Sequence, residues 1–404
     1  MGSNPFSSTA APAAVPAARR TARVQGSLIR EILKATMRPG MISLAGGLPA
    51  PQSFPAESLR AAFDAVLAAE PDRALQYSTT EGHPPLREWI AAQETARGVP
   101  TSAEQVLVVS GSQQALDLIG KAMVDEGSPL LVESPTYLGA LQAFAPFGPA
   151  FRSLPADEAG LLPEAIDGGL ARGARLAYVM PNFQNPTGRT LSVERRSALA
   201  QAARRHDFWL VEDDPYGELW YRAAPPPSLR LHAAERTLRV ASFSKVLAPG
   251  LRLGYVVGPR PAIELLARLK QATDLHTATL TQHVVARVLA DGLLEAQLPR
   301  VRALYAGQAA AMLAALRSRM PEGVRWGEPQ GGMFVWLTLP AQIDTLRLLD
   351  RALAAGVAFV PGAPFYPDEP PRNTLRLSFV TVPAATIDRG VATLAALIAE
   401  EKNR

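Results

Sequence analysis

Lysine is scarce in this sequence. Of the 41 Lys and Arg residues only five are lysine, namely Lys34, Lys121, Lys245, Lys270 and Lys402. Lys245 lies in RVASFSKVLAPGLRLGY, residues 239–255, beside Ser242 and Ser244 and seven residues before Arg252. An ammonium can lose its proton and form an imine with an aldehyde; a guanidinium cannot. Two hydroxyls and an arginine next to that amine suit a dianionic phosphate. The chemistry that needs all of these is a Schiff base between Lys245 and pyridoxal phosphate. A lysine on a polar loop is the alternative, and SFSK alone does not decide between them.

Other residues become informative beside Lys245. The run GSQQ, with Ser112 and Gln113, opens a helical stretch, and free backbone N–H groups at a helix start suit a phosphate. Asp213 and Asp214 end the apolar run FWLVEDD. A carboxylate there could pair with a protonated pyridine nitrogen and keep the ring an electron sink. Successive strand residues point to opposite faces, so one of the two reaches a ring, and the spacing leaves open which. Tyr216 and Asn185 are candidate donors to a phenolate oxygen, and Tyr137 is a candidate ring to stack on a cofactor.

These residues need elements to position them. From residue 106 apolar runs alternate with helical stretches: VLVVS, PLLVES, RLAYVM, FWLVEDD and residues 238–241 read as buried strands. Helices are predicted over 115–123, 136–144 and 193–206. This alternation predicts an α/β fold with a mainly parallel sheet covered on both faces. Ligands in such sheets sit beyond the carboxyl ends of the strands, where all the residues above fall. Earlier, residues 25–37 and 58–70 read as amphipathic helices, and QYSTTEGHPPLR as a polar loop carrying Tyr77 and His83. After residue 290 the pattern changes. A helical stretch over 293–319, bent near Pro299, is followed by GGMFVWLTLP, VAFVPG and TLRLSFV as short strands. The predicted organisation is an extension over 1–21, a large domain over 50–290, and a smaller α+β domain made of 22–49 with 291–404.

The composition excludes other classes. Net charge is +4 with dispersed arginines, so no basic stripe suggests nucleic acid. There is no cysteine for a disulfide, a thiolate nucleophile or a thiolate metal site. The five histidines show no HxH or HxxxH spacing, so no metal is expected. No apolar run has transmembrane length. The cytoplasm is the expected compartment; a transit peptide is the alternative reading of the Ala/Pro-rich start.

Taken together the chain resembles the class I/II aminotransferases of fold type I, which use pyridoxal phosphate. The similarity is greatest to the 2-aminoadipate branch and to kynurenine/aminoadipate and broad-specificity aromatic aminotransferases. It runs over about residues 22–400 and rests on SLAGGLP, LQYSTTEGHPPLR, SGSQQALDL, PNFQNPTGRTLS, VEDDPYGEL, SFSKVLAPGLRLGY, GGMFVW and NTLRLSF in this order. The resemblance implies that Lys245 forms the Schiff base and then shuttles the proton. Asp213 rather than Asp214 would meet the pyridine nitrogen, and Asn185 and Tyr216 the phenolate oxygen. Ser112, Gln113, Ser242, Ser244 and Arg252 would hold the phosphate, with Tyr137 stacked on the ring. Arg376, assisted by Asn182, would clamp the substrate α-carboxylate; Arg23 would meet a distal carboxylate, and Gly47 would let the substrate approach the backbone. Tyr77 would reach the neighbouring subunit of a homodimer. The implied reaction is ping-pong transfer of an amino group from an L-amino acid (2-aminoadipate, aromatic or aliphatic) to 2-oxoglutarate. A lyase or decarboxylase on the same fold is the nearest alternative. An aminotransferase-like transcription regulator is disfavoured, because only about 22 residues precede the matching region and no recognition helix is visible.

Overall fold

The computed structural model describes residues 16–24, 26 and 28–402. Residues 1–15, most of the expected extension, and Gln25, the expected start of the first helix, lie outside the described residues.

The apolar runs form one seven-stranded sheet. Its order is Val106–Val109, Gly254–Val257, Thr237–Ser242, Trp209–Asp213, Leu176–Val179, Pro129–Val132 and Ala150–Ser153. Only Gly254–Val257 runs antiparallel to its neighbours. The others pair in parallel, in the register Leu130↔Leu176, Leu176↔Trp209 and Leu210↔Thr237. Val106–Val109 and Leu176–Val179 are buried at every position. That explains why they read as continuous apolar runs rather than alternating ones. Ala150–Ser153 sits at the edge, is only half-buried, and carries Arg152 and Ser153; its polar sequence hid it from the pattern.

Helices cover both faces. Ser112–Met123 buries Ala115, Leu116, Leu118 and Ile119. Val193–Arg205 is capped by Ser192, whose hydroxyl accepts from the Arg195 N–H, and buries Leu199 and Ala203. The last four residues of the stretch read as a polar loop open a helix, Pro84–Ala96. Two prolines obscure it in the sequence, yet proline suits the first helical turn, where its missing N–H has no partner to lose. Leu86, Ile90 and Ala91 of this helix are buried.

A second, antiparallel sheet has the order Arg325–Trp326, Phe334–Thr338, Thr374–Ser378 and Val360–Pro361. The short strand Ile42–Ser43 pairs in parallel with Val357–Ala358, which ties the segment before residue 50 to the C-terminal third. The helix Leu293–Arg319 runs unbroken through Pro299. It packs along the last helix, Ala384–Lys402, whose buried residues include Val391 and Leu394. Arg376 lies in the middle of the second sheet, opposite Trp336 and Val360.

Candidate active site

The strand Thr237–Ser242 ends at a tight turn that carries Lys245. Phe243 is buried and its N–H reaches the Leu253 carbonyl, so the turn is anchored from both sides. The Ser244 N–H donates to the Ser242 Oγ. Lys245 Nζ donates to the Gly47 carbonyl at 2.8 Å. Burial holds this amine down to about 8, helped by the positive charges of Arg376 and Arg252. A neutral amine is therefore accessible near neutrality, which a nucleophile or a base requires.

Pro249–Leu251 makes a 3₁₀ turn that ends in Arg252 with φ +51°. The turn brings Arg252 against Gly111, whose φ is +89° and where an added Cβ would lie 2.7 Å from the Arg252 Nη2. Glycine is required there for backbone and space alike. Gly111 directly precedes Ser112–Met123, so the guanidinium and the start of that helix meet. Gln113 Nε2 donates to the Gly139 carbonyl and joins this helix start to the helix Leu138–Phe144.

Asp213, at the carboxyl end of the central strand, is 1% exposed. One carboxylate oxygen accepts from the Tyr178 hydroxyl at 2.7 Å. The other has no partner among the described residues. Burial pushes this carboxyl up to about 7 against the Tyr178 bond, with Asp214 adding to the rise. Asp214 is differently placed. It accepts from Asn182 at 2.9 Å and from Arg239 at 2.7 Å, and Arg239 in turn pairs with Glu94. Burial opposes its charge, but Arg239 holds its carboxyl below the usual range. So Asp214 belongs to a buried ion network, while Asp213 keeps an oxygen free.

Arg376 is 2% exposed and has no acidic partner among the described residues. Its guanidinium donates to Asn185 Oδ1 at 2.7 Å and to the Ala45 carbonyl at 2.8 Å, and lies over the Phe334 ring at 4.2 Å. Burial lowers it to about 10, with Tyr216 and Tyr137 opposing the drop. A buried cation without a counter-charge is costly and stands ready for an anion.

These groups share one cavity of about 400 Å³, lined by Gly47, Ser112, Gln113, Tyr137, Asn185, Asp213, Tyr216, Ser242, Ser244, Lys245, Arg252 and Arg376. Three expected residues are elsewhere. Asn182 donates to Asp214 and accepts from Arg196 at 2.7 Å, so its amide is committed beneath the cavity rather than beside Arg376. Arg23 ion-pairs with Glu126 and lies against Gly148, drawn to a surface carboxylate. Tyr77 is 77% exposed, edge-on to His276.

The matching family model is "Aminotransferase class I and II", over residues 41–394. The chain belongs to this family. It is 45% identical to the 2-aminoadipate transaminase of Thermus thermophilus, over 92% of this chain and 94% of that one. It is 41% identical to aromatic-amino-acid aminotransferase 1 of Thermococcus litoralis, over 94% and 93% of the two chains. A solved structure of the α-aminoadipate aminotransferase from Thermus thermophilus, complexed with N-(5'-phosphopyridoxyl)-L-leucine, matches with TM-score 0.88 and 42% identity, covering 96% of this chain and 98% of the other.

The protein is thus a pyridoxal-phosphate-dependent aminotransferase of fold type I. The cavity fits that cofactor. The orphaned Asp213 oxygen suits a protonated ring nitrogen, the helix start with Arg252 suits a phosphate, and Lys245 suits an aldehyde. Sequence reasoning missed Tyr178, the partner of Asp213. A tyrosine inside the apolar run RLAYVM was the available signal, because a buried hydroxyl needs a partner. It also missed Leu33, Leu48, Leu138 and Gln142, which line the cavity. Their types are too ordinary to be singled out in a sequence.

Proposed function

We propose that this aminotransferase moves the amino group of an L-amino acid to 2-oxoglutarate, with acidic, aliphatic and aromatic donors as the substrate class. The observation that carries the reading is Arg376, a buried guanidinium without an acidic partner among the described residues, on the same cavity as Lys245 and the free Asp213 oxygen. An α-carboxylate supplies the missing charge, and two parallel N–H donors fix its orientation. Holding the carboxylate in this way favours its retention over decarboxylation.

The residue roles follow from placement. Bound pyridoxal phosphate supplies an aldehyde for the amine and an electron-withdrawing ring. Asp213 keeps the ring nitrogen protonated with the oxygen that Tyr178 leaves free. Asn185 and Tyr216 donate to the ring oxygen, and Tyr137 packs on the ring face. Ser112, Gln113, Ser242, Ser244 and Arg252 hold the phosphate. Lys245, its pKa depressed to about 8, would accept the α-proton of the amino acid at Nζ and hold it for return. The bound cofactor would carry the amino group to the second substrate, one water being consumed as the first 2-oxo acid leaves.

Three further assignments belong to this reading. The protein acts as a homodimer in which the exposed Tyr77 enters the site of the second copy. Residues 50–290 form the cofactor-binding domain, and 22–49 with 291–404 the smaller one; the Ile42–Val357 strand pairing supports that division. The compartment is the cytoplasm; no described helix is long and apolar enough to cross a membrane.

The test is a half-reaction screen of the purified enzyme. Single amino acids, among them 2-aminoadipate, glutamate, leucine, phenylalanine and kynurenine, are added without a 2-oxo acid while the visible cofactor band is followed. Loss of the band on donor addition, and its return with 2-oxoglutarate, is the expected result. Release of carbon dioxide or ammonia in place of a reversible spectral change refutes the proposal.

A further inference from the structure

Once the groups for the cofactor and the α-carboxylate are set aside, one polar side chain on the cavity wall has no role. It is Gln142. It stands on the helix Leu138–Phe144, four residues after Leu138, so both project from one face. The burial pattern agrees. Leu138, Gly139 and Gln142 are half-buried toward the cavity, whereas Ala140, Leu141, Ala143 and Phe144 are buried in the core. The remaining unassigned wall includes Leu33, Leu48 and Met180. The Gln142 amide makes no hydrogen bond with any described residue. Gln113, by contrast, has committed its amide to the Gly139 carbonyl on the same helix.

Among the described residues no further cation lines this wall. Lys245, Arg252 and Arg376 are the cationic residues on the cavity, and each faces the cofactor or the α-carboxylate in the reading above. Arg23 is paired with Glu126. A free primary amide among leucines has two properties. Its N–H groups can donate to a distal carboxylate or carbonyl, and a charged acceptor makes such a bond stronger than a neutral one. Being uncharged, it can also lie beside an apolar side chain without the cost of burying an ion. A wall of this kind admits two side-chain classes in turn, which a ping-pong aminotransferase with an apolar donor and a dicarboxylic acceptor requires.

We propose that Gln142 is the specificity-determining residue of this site: its amide binds the distal carboxylate of acidic substrates, while apolar side chains rest on Leu33, Leu48 and Leu138. The inference rests on the transamination reading above.

The experiment compares wild-type holoenzyme with Gln142→Leu, Gln142→Glu and Arg23→Ala. For each, kcat/KM of the half-reaction is measured with 2-aminoadipate and with leucine. Gln142→Leu keeps the volume and removes the donor, so the ratio of 2-aminoadipate to leucine falls about 10- to 100-fold, the range for a lost hydrogen bond to a charged group. Gln142→Glu lowers the ratio further by placing like charges together, and leucine turnover shows that the variant is folded. The proposal is overturned if Gln142→Leu depresses both donors equally, if it leaves the ratio unchanged, or if Arg23→Ala alone carries the loss for 2-aminoadipate. Failure of the underlying reading looks different: wild-type enzyme then converts neither donor.

Discussion

Replacing Tyr178 by Phe removes one hydroxyl and probes the electrostatics at the base of the site. That hydroxyl donates at 2.7 Å to Asp213, and both residues are buried. Asp213 has its pKa raised from 3.8 to about 7, mainly by burial. A carboxyl raised in the folded state penalises folding as pH rises above its unfolded pKa, and the penalty is complete above the folded one. The window is therefore pH 4 to 7, and the penalty reaches about 4 kcal/mol at 1.36 kcal/mol per unit. The Tyr178 bond offsets part of it. Hydrogen bonds to charged groups contribute about 1.5–3 kcal/mol, against about 1 kcal/mol when both partners are neutral. The difference of about 0.5–2 kcal/mol raises the Asp213 pKa by about 0.4–1.5 units when the bond is lost. For a chain of 404 residues, an unfolding entropy of about 2.1 cal/mol/K per residue converts these energies into a drop in Tm of roughly 2–4 °C at pH 8.5 and about 1 °C at pH 5. Calorimetry of cofactor-free wild type and variant at the two pH values measures the difference. An equal drop at both, or none at pH 8.5, refutes the assignment of Asp213 as a buried, strained acid held by Tyr178.

Other perturbations have defined outcomes. Arg376→Lys keeps a charge but loses the planar fork, so kcat/KM falls about 100-fold for every amino-acid donor alike, because the α-carboxylate is common to all. Steady-state assays with leucine and 2-aminoadipate check that uniformity. Glu94→Gln removes the acid between Arg230 and Arg239, which it meets at 2.7 and 2.8 Å. Arg230 is left without its counter-charge while Arg239 keeps Asp214, and unfolding free energy falls by about 3–5 kcal/mol, read from urea titration. His83 stacks on His283 at 3.8 Å, and burial, with His283 adding, lowers it from 6.5 to about 4. Its contribution is intact above pH 6.5 and is lost as pH falls toward 4; His83→Phe flattens that stretch of the Tm-against-pH curve.

The parts of the fold that were legible in the sequence are those whose burial is symmetrical. Leu176–Val179 and Trp209–Asp213 lie inside the sheet, and Val106–Val109, though an edge strand, is buried at every position, so their apolar runs are continuous. Ala150–Ser153, the opposite edge strand, is only half-buried, needs less apolar surface and was hidden. Pro84–Ala96 was hidden because its prolines sit where helices tolerate them. In the site, the groups around Lys245 could be picked out because strand ends concentrate them at one edge of the sheet. What the sequence did not reveal depends on contacts distant in the chain. Asn182 is three residues from Asn185, yet it turns to Asp214 and Arg196 while Asn185 meets Arg376. The choice between Asp213 and Asp214 rests on Arg239, an arginine inside an otherwise apolar strand. Gln142 carries no motif at all; only the shape of the cavity marks it.

We propose Lys245, of the five lysines, as the amine that engages the cofactor. Lys270 sharpens the test, because it is also buried but is paired with Asp274. The most direct measurement is borohydride reduction of the protein reconstituted with pyridoxal phosphate, followed by peptide mass spectrometry. Reduction fixes a phosphopyridoxyl group wherever an imine existed. One modified peptide is expected, carrying the group on Lys245, and none in Lys245→Ala. A label on Lys270, or unlabelled wild-type protein, contradicts it.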